Sequence, residues 1–211
     1  MFGIVNFSVF IITGIILNLT PGADTMYILG NSMSNGKKAG IMSALGISTG
    51  CIVHTILAAL GLSVILAKSA LAFNIIKYLG AAYLVYLGIR SFMSKSSLLI
   101  HNGDNEKSSF KNIYFQGIIT NVLNPKVALF FLAFLPQFIN PNNTYGALPF
   151  LLLGCTFIIT GTIWCIILAV FSSYLTGKIS EKVGLANSLN KISGIIFVGL
   201  GLNLLRAKLS N

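Results

Sequence analysis

The chain has 211 residues, of which 55% are hydrophobic and only 9% are charged, and its mean hydropathy is +0.86. A soluble domain carries about 25% charged residues, so this composition excludes a soluble fold and indicates an integral membrane protein. The formal net charge of +10 does not indicate a nucleic-acid binder, because the basic residues lie in short connections between apolar runs. The expected partner is the lipid bilayer, with no nucleic acid.

Apolar runs long enough to cross a bilayer cover most of the chain. A spanning helix needs about 20 apolar residues, and turn and charge signals divide the sequence into six such spans. In chain order the predicted spans are approximately 3–23, 39–67, 70–92, 113–138, 147–175 and 189–205. We therefore predict an all-α polytopic membrane protein with one domain, 1–211. Its two three-helix halves, 1–93 and 113–211, are joined by a polar loop, 94–112.

The distribution of Lys and Arg predicts the orientation. Nine of the fourteen lie in or beside the first, third and fifth connections, and four lie on the opposite side with the termini. Because an excess of Lys and Arg stays in the cytoplasm, these three connections, including loop 94–112, are predicted inside. Both termini of this multi-pass protein are then predicted outside.

Two prolines interrupt the first and fourth spans in similar surroundings. "NLTPGAD" and "TNVLNPKVALFF" each place an Asn and a polar residue before the proline and a charged residue close behind it. Proline breaks or kinks a helix, and broken backbone at membrane depth is tolerated only where it is packed or lines a cavity. A three-span unit repeated once inserts upside down the second time, as in many secondary transporters. We predict two inverted three-helix repeats, with helices 1 and 4 broken at Pro21 and Pro125 and meeting at a polar pocket.

Three ionisable residues in or directly next to the predicted spans are candidates for function. A carboxylate at the bilayer centre costs roughly 2.5–3.5 kcal/mol, so Asp24 is predicted to line a substrate path; alternatively it lies at the membrane surface, after a completed span. Lys126 has either a substrate or ion-pair role or a side chain that reaches towards headgroups. His54 either relays protons or hydrogen-bonds a neighbouring helix.

The candidate site consists of the polar and helix-breaking positions of the two motifs. The predicted substrate-binding residues are Asn18, Thr20, Pro21, Gly22, Asp24, Asn121, Asn124, Pro125 and Lys126. Asp24 and His54 are the predicted proton-coupling residues. The three cysteines show no metal-ligand spacing, so neither a metal nor a cofactor is expected, and one Asp with one His offers too few groups for an enzyme. Glycines at small-xxx-small spacing in the second span allow close helix approach and would also allow a homodimer.

In order along the chain, these motifs resemble the LysE/RhtB amino-acid exporters of bacteria. The carriers are "LTPGADTMYILGNSMSNGKKAG", "GISTGCIVHTILAALGL", "KYLGAAYLVYLG" and "TNVLNPKVALFFLAFLPQF". The family often has Pro-Gly-Pro after helix 1, whereas Ala23 takes the third position here. The resemblance implies a six-span protein of the bacterial inner (plasma) membrane that expels small amino acids such as threonine, homoserine, lysine or cysteine by proton antiport. It also implies that Pro21, Gly22, Asp24, Asn121, Asn124 and Pro125 belong to the central site.

These features predict an exporter of small amino acids, threonine- or homoserine-like or otherwise neutral or basic, with alternating access. Backbone N–H groups at the helix breaks would hold the substrate carboxylate, while free carbonyls and Asp24 would hold its ammonium. Protonation of Asp24 from outside would then release the substrate. The alternatives are a passive amino-acid channel and a cation or metal efflux protein, although the spans lack paired metal ligands.

Overall fold

In the computed structural model, the described residues are 2–63, 109–140 and 142–172, with scattered helical positions between 71 and 93 and between 191 and 202. These residues are predominantly helical and include no strand, only an isolated antiparallel bridge between Ile4 and Ile139. The predicted all-α class is therefore confirmed for this part of the chain. Most of the predicted third and sixth spans, and loop 94–112 as far as residue 108, lie outside the described residues.

The first broken helix has two arms of similar length. Helix α1 (Phe7–Leu19) has 13 residues and is about 20 Å long, too short for a hydrocarbon core of about 30 Å. The chain then passes through Pro21 and Gly22, and helix α2 (Ala23–Leu57) begins immediately afterwards. The break at Pro21 is as predicted. The predicted end of the first span at residue 23 is wrong, because apolar residues resume behind Asp24 and the chain stays helical as far as residue 35.

Helix α2 reverses direction at Gly36. This residue has φ 83° and ψ 176° inside the otherwise helical stretch, a positive φ that glycine adopts without strain. A Cβ built on Gly40 would lie 2.7 Å from Cβ of Ser32, although eight residues of straight helix would separate them by about 12 Å. Arm 23–35 therefore completes the first broken helix. Residues 37–57 and the π-helical turn Ala58–Leu62 that follows them form a separate helix after the reversal.

The fourth predicted span is also a broken helix. Helix α3 (Phe110–Val122) and helix α4 (Pro125–Leu129) flank the break, and a π-helical turn (Phe130–Phe134) and a 3₁₀ turn (Leu135–Phe138) continue α4. The two arms are bent by 46°. Proline suits the first position of α4, because the N–H that proline lacks would have no acceptor within the helix at that position. The predicted break at Pro125 is confirmed, while α3 starts three residues before the predicted span.

Helix α5 (Leu148–Ser172) covers most of the predicted fifth span. By length and apolar composition alone, α5 and the stretch Ala23–Leu62, which includes the reversal at Gly36, are each sufficient to cross a membrane. The bent pair around Pro125 is a third candidate if its two arms count as one span. Helix α5 packs closely on α2, since a Cβ on Gly154 would lie 2.3 Å from Cγ2 of Thr55. The described helices therefore fit a membrane protein.

The two broken helices run antiparallel. At one end the N–H of Val5 donates to the carbonyl of Phe138 (2.8 Å), and at the other the hydroxyl of Tyr27 donates to the carbonyl of Ile113 (2.7 Å). Residues near the first end form an aromatic cluster in which Phe130 stacks on Phe157 at 4.4 Å. This pairing brings the two breaks side by side.

Candidate functional site

Asp24 and Asn121 join the two breaks. Nδ2 of Asn121, the last turn of α3, donates to Oδ2 of Asp24, the first turn of α2, at 2.8 Å. Asn121 is fully buried, but its Oδ1 and Oδ1 of Asp24 have no hydrogen-bond partner among the described residues. Because Asp24 can only accept, this bond fixes the orientation of the Asn121 amide. The two residues that join the breaks therefore each have one acceptor oxygen without a partner.

Lys126 joins the breaks from the other side. Its Nζ donates to the carbonyls of Leu17 (3.1 Å) and Thr20 (2.9 Å), which lie at and just beyond the end of α1. A cation there satisfies free carbonyls and complements the helix dipole. The alternative in which Lys126 reaches towards headgroups is therefore wrong. The carbonyls that were expected to hold the substrate ammonium are instead bound by Lys126.

Glycine and asparagine at the breaks support this arrangement. A Cβ on Gly22 would lie 3.3 Å from Nζ of Lys126, so glycine leaves room for the ammonium. Oδ1 of Asn124 accepts from the N–H of Lys126 at 3.0 Å and caps α4. Pro21 and Pro125 create the breaks. Neither proline lines the cavity at the junction of the breaks.

A small cavity lies at the junction, lined by residues beside the two breaks and by residues of α5. Its volume of about 30 Å³ accommodates about two water molecules, which is less than an amino acid occupies. The predicted residues Asn18, Asp24, Asn121 and Lys126 line it. The residues that sequence analysis missed are Leu17, Thr25, Ile47, Ser48, Cys51, Val127, Phe157, Ile158, Gly161, Thr162, Trp164 and Cys165.

Most of the missed residues come from α5 and from residues 37–57, the part of α2 after the reversal at Gly36. Helix α5 carries "TGTIWC", in which small polar residues surround the only tryptophan of the chain, at position 164. That combination in a long apolar helix was the available signal. Its hydroxyls connect to the other helices, since Ser48 and Thr162 are hydrogen-bonded at 2.7 Å and Asn18 donates to Thr160 at 3.5 Å. Nε1 of Trp164 is buried without a partner among the described residues.

His54 lies behind the cavity wall. Its Nε2 is 3.1 Å from the carbonyl oxygen of Asn121, and its ring stacks on Phe131. Of the two roles predicted for His54, the structure shows the hydrogen bond to a neighbouring helix, α3. Its share in proton coupling stays a prediction.

The comparison with known proteins assigns the family. The LysE type translocator family matches residues 15–208. The chain belongs to the LysE family of translocators. The apolar helices of the described residues agree with membership of a family of membrane transporters.

Relatives of this LysE-family protein match it over nearly its whole length. The uncharacterized membrane protein YrhP of Bacillus subtilis is 37% identical over 192 residues, covering 87% of this chain and 90% of its own. An uncharacterized membrane protein of Vibrio cholerae is 31% identical over 94% of this chain and 96% of its own. The leucine efflux protein of Salmonella typhimurium is 29% identical over 96% of both chains. No solved structure matches the chain significantly.

Proposed function

We propose that this protein exports neutral amino acids with leucine-like side chains from the cytoplasm, by proton antiport with alternating access. One observation carries the proposal: a carboxylate and an ammonium, from Asp24 and Lys126, line the same cavity where two broken helices meet. A free amino acid is a zwitterion and complements such a pair. Family membership and the relatives named leucine efflux protein support amino acids as the substrate class.

The substrate ammonium binds at Asp24 and Asn121. Oδ1 of each residue is an unused acceptor, and together they provide two hydrogen bonds. The substrate carboxylate binds Lys126, whose ammonium has three N–H groups and uses two on α1. The side chain then contacts the apolar wall of the cavity, which comprises Leu17, Ile47, Val127, Phe157 and Ile158. An aliphatic side chain suits this wall because it brings no polar group that would need a partner.

Asp24 carries the coupled proton in this proposal. Protonation of Asp24 removes the negative charge that holds the substrate ammonium, so a proton entering from outside releases the amino acid there. His54 adjoins this pair through the Asn121 carbonyl. We propose it as a second proton-coupling residue, and transport by His54→Gln with an unchanged response to the pH gradient would remove it from the coupling.

The two ends of the antiparallel pair support alternating access. Towards residues 7 and 138 the aromatic cluster around Phe130 and Phe157 closes the path. Towards residues 35 and 110 the polar side chains of Tyr27, Thr49 and Tyr114 lie between the helices. With both termini outside and loop 94–112 inside the cell, the aromatic end faces outward and the polar end faces the cytoplasm.

The proposed setting is the bacterial inner (plasma) membrane. The halves 1–93 and 113–211 form two inverted repeats of three helices in this account, and they rock around the junction of the breaks. The antiparallel course of the two broken helices supports such a relation. A homodimer is compatible with this arrangement, and its test is the oligomeric state of the purified protein.

Transport in liposomes under an imposed pH gradient tests the proposal. The wild type should move labelled L-leucine against its gradient, and an uncoupler should abolish that accumulation; accumulation that persists would exclude proton antiport. Asp24→Asn should lose gradient-driven transport at least tenfold while still inserting in the membrane. Asp104→Asn, which removes an equal charge from segment 94–112, is the matched control. Gradient-driven transport by Asp24→Asn at the control's rate would refute the role of Asp24.

A further inference from the structure

One hydrogen-bond donor at the cavity has no role in the site so far. Trp164 lines the cavity from α5, and its Nε1 is buried with no partner among the described residues. An indole N–H can only donate, and leaving such a group buried and unpaired destabilises the protein. An acceptor that enters the cavity, either a group of a bound ligand or a water molecule, would satisfy this donor.

The charge arrangement of the cavity identifies the acceptor. Asp24 and Asn121 present unused acceptor oxygens, which match the ammonium of a zwitterion. Trp164 presents the opposite polarity, an unused donor, which an ammonium cannot satisfy and a carboxylate can. The hydroxyls of Ser48 and Thr162 on the cavity wall bond each other, and neither of them accepts from the indole.

We propose that Trp164 donates its Nε1–H to the α-carboxylate of the transported amino acid. This inference rests on the proposed function and adds a second carboxylate-binding residue beside Lys126. The substrate would then lie across the junction, with its ammonium on the α2–α3 side and its carboxylate contacted from both α4 and α5. Trp164 thereby reports on the occupied state, because it is the only tryptophan in the chain.

The competing explanation is that a cavity water accepts this hydrogen bond and the ring only packs. The cavity accommodates about two water molecules, so this explanation has the space it needs. The two accounts differ in one respect. Only the carboxylate account makes the effect of the indole N–H depend on whether the ligand has a carboxylate.

The experiment compares L-leucine with 3-methylbutylamine, which is leucine without its carboxylate. Both compounds compete against labelled L-leucine in proteoliposomes containing the wild type or Trp164→Phe. A hydrogen bond to a charged group contributes about 1.5–3 kcal/mol, roughly 10- to 150-fold in affinity. We expect Trp164→Phe to weaken L-leucine by about tenfold or more and to leave 3-methylbutylamine within about twofold, well below the energy of one such bond. Ile163→Val, at an exposed neighbour on the same helix, should change neither.

Equal weakening of both ligands, or no weakening of L-leucine, would overturn the proposal in favour of packing. If Trp164→Phe does not fold, tryptophan emission of the wild type provides the test. Saturating L-leucine should then shift the emission, 3-methylbutylamine should not, and equal shifts would overturn the proposal. A wild type that transports no amino acid at all would instead refute the proposed function, so the two failures are distinguishable.

Discussion

At the scale of single residues, Lys126 combines two tasks that usually belong to different side chains. Its ammonium binds two carbonyls at the end of α1 and also faces the cavity. A buried ammonium needs such partners, because removing it from water without them costs several kcal/mol. The first broken helix therefore depends on a residue of the second for its own termination.

Removing this ammonium should destabilise the protein measurably. We expect Lys126→Met to lower the free energy of unfolding by about 1.5–3 kcal/mol, since hydrogen bonds to a charged group are lost and two carbonyls are left bare. Thermal unfolding in detergent measures this, with Lys111→Met as control because Lys111 is exposed on α3. Equal melting temperatures for the two variants would mean that the contact with α1 contributes nothing.

At the scale of helices, close packing between α2 and α3 holds the site. A Cβ on Gly50 would lie 2.7 Å from Cβ of Asn121 and 2.8 Å from its Oδ1. A Cβ on Gly46 would lie 2.2 Å from the carbonyl oxygen of Tyr114, a backbone atom that cannot move aside. The glycines at small-xxx-small spacing in the second predicted span therefore form the contact surface between α2 and α3. It brings the backbone of α2 close enough to fix the amide of Asn121 against Asp24.

Adding one methyl group at Gly50 should disturb this amide. We expect Gly50→Ala to reduce L-leucine transport at least tenfold and to destabilise the fold by about 1–3 kcal/mol, the usual cost of overpacking. The matched control is Gly30→Ala, where a new Cβ meets nothing within 4 Å and should stabilise α2 by up to about 1 kcal/mol. Transport assays and thermal unfolding check both variants, and a Gly50→Ala protein that transports normally would contradict the positioning role.

The helix breaks were predictable from sequence because they are local. Pro21 and Pro125 lack the N–H that a helix interior requires, whatever surrounds them. The end of the first span was not predictable, because residues 24–35 mix apolar and small polar side chains and suit both a loop and a packed helix. Only tertiary contacts, such as that of Tyr27 with α3, decide between the two.

At the scale of the whole molecule, the structure supports one organising relation, the antiparallel pairing of two broken helices. Sequence analysis anticipated that both breaks belong to one site, since each motif carries a charged residue. The partners of those charges were not predictable, because Lys126 contacts residues more than a hundred positions away. The contribution of α5, including Trp164, was missed for the same reason, since distance in sequence conceals proximity in space.

The central claim is that the amino acid binds where the two breaks meet. A single cysteine at Thr25, which lines the cavity, tests this most directly in a variant whose three native cysteines are replaced by alanine. Met26→Cys in the same background is the control, since Met26 is exposed beside it. The measurement is the rate at which a small thiol reagent modifies each cysteine from the cytoplasmic side of everted vesicles. We predict that L-leucine, at concentrations that saturate transport, slows modification of the cysteine at position 25 and does not change the rate at position 26. If L-leucine changes neither rate, the account is contradicted.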